Sequence, residues 1–163
     1  MSEKKLGVAL DFSPCSRAAL KWAIDNLLKK GDDLIVVYVQ TNIDLEYGEV
    51  QLWEATGSPM IPLSEFVGPA TFKKYGVKAD QEVLDLLETA AKQKGASIVV
   101  KIYWGDPREK ICAAVDDIAL DCLVIGNRGL GKLKRAILGS VSNYVVREAS
   151  CPVTVVKLLE SRT

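Results

Sequence analysis

The sequence predicts an α/β fold in which a parallel sheet carries helices on both faces. Three observations lead there. Short apolar runs alternate five times with stretches of helical periodicity. The runs are almost continuously apolar and rich in β-branched residues, as strands buried on both faces are. The connections are short with one exception, and right-handed crossovers between parallel strands place helices on either side of a sheet.

The elements can be justified in chain order. LGVALD (Leu6 to Asp11) has the length and composition of a buried parallel strand. Ser13-Pro14 then supplies an N-cap followed by proline at the first helical position. Leu20, Ala23, Ile24, Leu27 and Leu28 form one apolar helix face, and Gly31 is a stop. DLIVVYV (Asp33 to Val39) is the second strand. Residues 41–74 read as a long loop or insertion, with Pro59, Pro62 and Pro69 among Gly48, Gly57 and Gly68. Trp53, Met60, Ile61, Leu63, Phe66 and Val67 argue that it folds over the surface, the alternative being a lid or a dimer contact. A second helix is expected over Lys78 to Lys94, with Val83, Leu86, Leu87, Ala90 and Ala91 on one face and Gly95 ending it. SIVVKIYW (Ser97 to Trp104) is the third strand. Asp106-Pro107-Arg108-Glu109 has capping-box character and opens a helix carrying Ile111, Ala114, Val115, Ile118 and Ala119. CLVIG (Cys122 to Gly126) is the fourth strand, Ser140 to Ala149 the last helix, and VTVVK (Val153 to Lys157) the fifth strand.

Composition narrows the function. A chain of 163 residues is expected to form one domain, here residues 4–159. Lys plus Arg equals Asp plus Glu, 21 each, so no general charge favours a nucleic-acid partner. No apolar run approaches the roughly 18 residues of a membrane span, and the polar start MSEKK has no signal-peptide apolar region. A cytoplasmic protein is expected, with no membrane partner. Cys15, Cys112, Cys122 and Cys151 contain no CxxC pair and read as reduced and mostly buried. The chain has no histidine. That excludes Ser-His-Asp and Cys-His nucleophilic sites and histidine zinc sites within it.

The most informative stretch is Gly126 to Ser142, GNRGLGKLKRAILGSVS, which joins a buried strand to a helix N-terminus. Glycine backbone that a ligand can approach, two hydroxyls and that helix start favour an anion such as phosphate. GNRGLGK matches the P-loop pattern until its eighth position, where Leu133 replaces the Mg²⁺-binding hydroxyl. The dinucleotide pattern fails at Lys134, where a third glycine belongs. What fits without a gap is Gly126-x2-Gly129-x9-Gly139-Ser140.

That spacing resembles the ATP-binding signature of the universal stress protein family. CLVIGNRG, GSVSNYVV and CPVTVVK are similar to the family as well, and LGVALDFSPCSRAALKWAI and KIYWGDPREKI extend the likeness over nearly the whole chain. Chain length, YGVKAD and YWGDPREK look most like plant single-domain members. The resemblance implies a three-layer sandwich of the adenine nucleotide α-hydrolase type, with five parallel strands in the order 3-2-1-4-5. It also implies that Asp11 and the Val39 backbone contact the adenosine part. Gly126 and Gly129 would pass close to ribose and phosphate, and Gly139, Ser140, Val141 and Ser142 would hold phosphates. Arg128, between the first two glycines, is a candidate to screen phosphate charge, whereas Lys132, Lys134 and Arg135 read as a solvated face. The ligand implied is ATP or AMP, with Mg²⁺ an option and its ligands unknown. A homodimer through Val153 to Lys157 is implied too, with client proteins unspecified.

The residues agree chemically with those roles. A carboxylate at Asp11 repels phosphate, so it suits a ribose hydroxyl, an adenine amine or a metal. Ser13 reads as the cap of the first helix, which leaves Asp11 with no evident structural task. Nothing resembles a hydrolytic set: there is no histidine, no P-loop hydroxyl and no second acid to orient water. The expected function is therefore nucleotide binding and switching in stress response, with at most slow turnover and no catalytic residue. Two rivals remain at this point. One is a chaperone-like or scaffolding protein with a vestigial site. The other is an AMP-transferring enzyme, against which DFSPCS stands where an SGGxDS loop would be expected.

Overall fold

The computed structural model describes residues 3–41, 53–77, 80–127 and 139–158. Its strands are β1 (Lys5–Leu10), β2 (Asp33–Gln40), β3 (Ile61–Pro62), β4 (Ser97–Trp104), β5 (Cys122–Gly126) and β6 (Val153–Val156). Its helices are α1 (Pro14–Asn26), α2 (Leu63–Phe66), α3 (Ala70–Tyr75), α4 (Gln81–Lys94), α5 (Pro107–Ile118) and α6 (Ser140–Glu148).

All six strands form one sheet in the order β3-β4-β2-β1-β5-β6. Without β3, this is the expected 3-2-1-4-5 arrangement, and every neighbouring pair in it is parallel. Among the described residues the sheet has six strands rather than the expected five. β3 pairs antiparallel with β4 through Ile61↔Val100 and Pro62↔Val99. Two residues ending in proline carry no alternation that would mark a strand, so only the β4 edge reveals this one.

The sheet is buried from both sides. One core joins Leu6, Val8, Leu34, Val36 and Trp104 to the apolar stripes of α1 and α4. The other joins Ile35, Val37 and Leu123 to α5 and α6. The described part of the expected insertion belongs to the first core: Ile61 and Phe66 are buried there, as is Tyr75 just after it. Ser58 fastens that segment to the strand edge, its N–H donating to Ile102 O at 2.7 Å and its hydroxyl accepting from Ile102 N at 2.9 Å. Residues 42–52 lie outside the described set, and with them part of the lid alternative.

Local chemistry accounts for the helix ends. Ser13 caps α1 by accepting from Ser16 N, and Asp106 caps α5 by accepting from Arg108 N. The second long helix, α4, starts at Gln81 rather than Lys78, because Asp80 accepts from Glu82 N and Val83 N as its N-cap. It ends at Gly95 with φ 65°, a left-handed position that glycine takes without steric cost. No described helix is long and apolar enough to cross a membrane.

All four cysteines are free; Cys15 is buried, but Cys112, Cys122 and Cys151 are only half-buried. Burial still pushes those three thiols above their ordinary value of 9.0. A raised folded pKa contributes stability that is complete below the unfolded value and lost as pH rises through the folded one. The urea midpoint should therefore be lower at pH 10 than at pH 8. A midpoint unchanged or higher at pH 10 would contradict the burial of these thiols.

Candidate functional site

The order of strands reverses at β1. From there the chain moves outward to β2 and β4, then returns to the other side of β1 for β5 and β6. The carboxyl ends of β1 and β5 bound a crevice at this switch point, where ligands of open parallel sheets bind. The register Leu6↔Cys122, Gly7↔Leu123, Val8↔Val124, continued by three residues, brings Asp11 level with Asn127.

The Asp11 lip is a tight turn. Phe12 has φ 63°, a left-handed conformation that is uncommon outside glycine, and it lets the chain enter α1 directly. Asp11 Oδ1 accepts from Ser13 N at 3.0 Å, and Asp11 N donates to Ser16 Oγ at 3.3 Å. Asp11 thus has a structural task that the sequence did not reveal, since one oxygen anchors the turn. Among the described residues no donor reaches Oδ2. The Phe12 carbonyl accepts from Arg17 Nη1, and Arg17 also pairs with Asp80 at 3.6 Å and Glu82 at 3.4 Å. Beside the turn, the Phe12 and Tyr38 rings lie 4.8 Å apart. Burial first, and the Asp11 charge second, push the Tyr38 hydroxyl above its ordinary pKa.

Val39 lies next to this lip. Pairing of β1 with β2 ends at Leu10↔Tyr38, whereas β2 runs on beside β4 to Gln40↔Trp104. Among the described residues, the Val39 backbone therefore has no β1 partner, although its side chain is buried in the α5-facing core.

The opposite lip begins at Gly126. A Cβ there would lie 2.8 Å from both the carbonyl carbon and the oxygen of Cys15, inside the first turn of α1. Packing of helix on strand thus demands this glycine, whatever else approaches it. Asn127 follows and is buried. Its N–H donates to Val156 O at 2.9 Å, and its carbonyl accepts from Gly139 N at 2.6 Å and from the Ser142 hydroxyl at 2.8 Å. Its side-chain oxygen accepts from Cys15 Sγ and from Leu158 N, each at 3.3 Å.

The residues expected to hold phosphate separate into two groups. Ser142 is buried, and its hydroxyl faces two main-chain acceptors, Asn127 O at 2.8 Å and Gly139 O at 3.2 Å. Ser140 is exposed at the first position of α6, and Val141 is half-buried against the α5-facing core. Gly139 is the N-cap and has no side chain to close the helix start. The other described helices of eight residues or more are capped by Ser13, Asp80 and Asp106. Arg128 and Gly129 lie outside the described residues, as do Lys132, Lys134 and Arg135. Among the described residues no cluster of three Cys, Asp or Glu is placed to hold a metal ion.

Sequence reasoning missed Asn127 because it occupies a variable position of the Gly126-x2-Gly129 spacing. The only available signal was a polar side chain directly after a buried strand.

The geometry can be set beside known proteins. A model of the universal stress protein family matches residues 3–157. The universal stress protein PHOS34 of Arabidopsis thaliana is 31% identical over 99% of this chain, which spans 64% of that protein's length. The solved structure of MJ0577, a universal stress protein of Methanocaldococcus jannaschii, is similar with a TM-score of 0.62 at 27% identity, covering 99% of this chain and 100% of that one. A universal stress protein family protein from Arabidopsis thaliana, solved with AMP bound, has a TM-score of 0.61 at 22% identity over 96% of this chain and 93% of that one. At that identity the likeness is one of fold.

Proposed function

Because the chain belongs to the universal stress protein family, we propose that it binds ATP or AMP in the crevice between Asp11 and the start of α6, and serves as a cytoplasmic nucleotide-dependent switch in stress response rather than as an enzyme. The observation that carries this reading is the start of α6. It lacks a capping side chain, presents Ser140 outward, and follows the strand that neighbours β1 at the switch point. Backbone N–H groups at such a terminus attract phosphate. The AMP bound by the similar Arabidopsis protein supports the choice of ligand.

The residues fit that ligand at both ends. Oδ2 of Asp11 suits a ribose hydroxyl or adenine amine, while the first turn of α6 suits phosphate. Gly129 and Arg128 belong to the same proposal through the sequence spacing alone. A chain without histidine and with Leu133 at the P-loop hydroxyl position favours holding the nucleotide over hydrolysing it. Switching then requires that the nucleotide bind two states of the protein with different affinity.

Freshly purified protein, denatured and analysed by mass spectrometry, should release an adenine nucleotide. Stripped protein should bind ATP or AMP by calorimetry. No released nucleotide together with no binding at millimolar ligand would overturn the reading.

A homodimer is part of the same proposal. One sheet edge is covered by β3 and Ser58, but among the described residues nothing pairs with the outer side of β6. Val153 to Val156 are only half-buried, and Val146 and Leu158 are 42% and 38% exposed. An open β-branched edge of this kind invites another strand. Light scattering at micromolar concentration should give twice the chain mass; a monomer there would refute the dimer.

A further inference from the structure

We propose, on the reading that the crevice holds an adenine nucleotide, that Asn127 is a positioning residue tying the phosphate end of that crevice to the segment leaving β6. The residue is 2% exposed and holds three separate parts of the chain. Its main-chain carbonyl receives Gly139 N and the Ser142 hydroxyl from the start of α6. Its side-chain oxygen receives Leu158 N just beyond β6 and Cys15 Sγ from α1. Its own N–H grips Val156 O at the last residue of β6.

A phosphate held at the start of α6 restrains Gly139 and Ser142. Those two donors fix the Asn127 carbonyl, and the same residue carries the oxygen that receives Leu158 N. Ordering one end therefore orders the other. The coupling is reciprocal, since a free energy shared by two sites acts equally in both directions. Leu158 is exposed and stands beside the open edge of β6, so the occupied crevice is communicated to the surface where a second copy would pair.

The test is amide hydrogen exchange, followed by NMR on the full chain. Saturating ATP should slow exchange at Leu158 by about fivefold or more, the lower range of coupling between linked sites. Adenosine, which lacks phosphate, should not. In Asn127→Leu, of similar size but without the acceptor, ATP should leave Leu158 exchange unchanged and bind about fivefold more weakly. Asn127→Asp keeps an acceptor oxygen on the same frame and should retain the slowing; it also serves if the leucine variant does not fold. Wild-type protein that binds ATP with no change at Leu158, or with equal slowing by adenosine, overturns this inference and leaves the nucleotide reading intact. Slowing that survives in Asn127→Leu, or is lost in Asn127→Asp, overturns it as well. Failure of the wild type to bind any adenine nucleotide removes both.

Discussion

Gly126→Ala is expected to destabilise the protein by about 3 kcal/mol, the upper part of the range for overpacking a filled interior. The new methyl group would lie 2.8 Å from the Cys15 carbonyl carbon and oxygen and 3.0 Å from its Cβ. Two of those atoms are backbone, so no rotamer change relieves the contact. Neither side can move cheaply. α1 is anchored at its start by the Ser13 cap and by Cys15 Sγ on Asn127. β5 is held between β1 and β6. Thermal unfolding by circular dichroism should show a Tm lower by roughly 6–12 °C, at about 2–4 °C per kcal/mol for a chain of this size. A Tm within a degree of the wild type would mean that α1 does not approach β5 as closely as described. The same glycine belongs to the proposed nucleotide signature, so lost ligand binding in this variant would need to be judged against its folded fraction.

Trp104→Ala should cost more, about 4 kcal/mol. Trp104 ends β4 and is 2% exposed. Its ring stacks on Trp53 at 6.3 Å, and Trp53 stacks on Tyr75 at 5.1 Å. Truncation removes the largest side chain of that core and leaves a cavity that a strand between fixed neighbours cannot collapse. It also withdraws the surface on which Trp53 rests, so the segment from Trp53 to Tyr75 should become more susceptible to limited proteolysis. Urea denaturation measures the first effect. Trp104→Phe should keep much of the packing and lose less than half as much stability. Equal losses for the two variants would show that ring stacking contributes little here.

The two variants probe opposite halves of the sheet, and they separate what was legible from what was not. The strand and helix pattern could be read directly, including the caps at Ser13 and Asp106, because periodicity and capping are properties of neighbouring residues. The β3 pairing could not be read, since Ile61 and Pro62 acquire their strand character only from β4. Asp80 was visible in the sequence but was not recognised as the residue that begins α4, and the expected start was three residues early as a result.

The candidate site was legible in its outline. Glycine spacing and a helix start marked one lip, and an acid after the first strand marked the other. Their individual tasks were less visible. Asp11 spends one oxygen on Ser13 N, Ser142 gives its proton to Asn127, and Gly126 answers first to the backbone of α1.

By itself, then, the sequence determined an alternating α/β chain, the helix starts at Ser13 and Asp106, and a glycine-spaced stretch suited to an anion. These follow from local backbone preference and from short-range patterning of apolar residues. Only the tertiary structure decided that Gly126 must be glycine to admit Cys15, that Asn127 joins α1, α6 and the exit of β6, and that Ser142 is turned inward. Each of those depends on atoms from elements distant along the chain meeting at close range. Such a meeting leaves no periodic trace in the residues that take part.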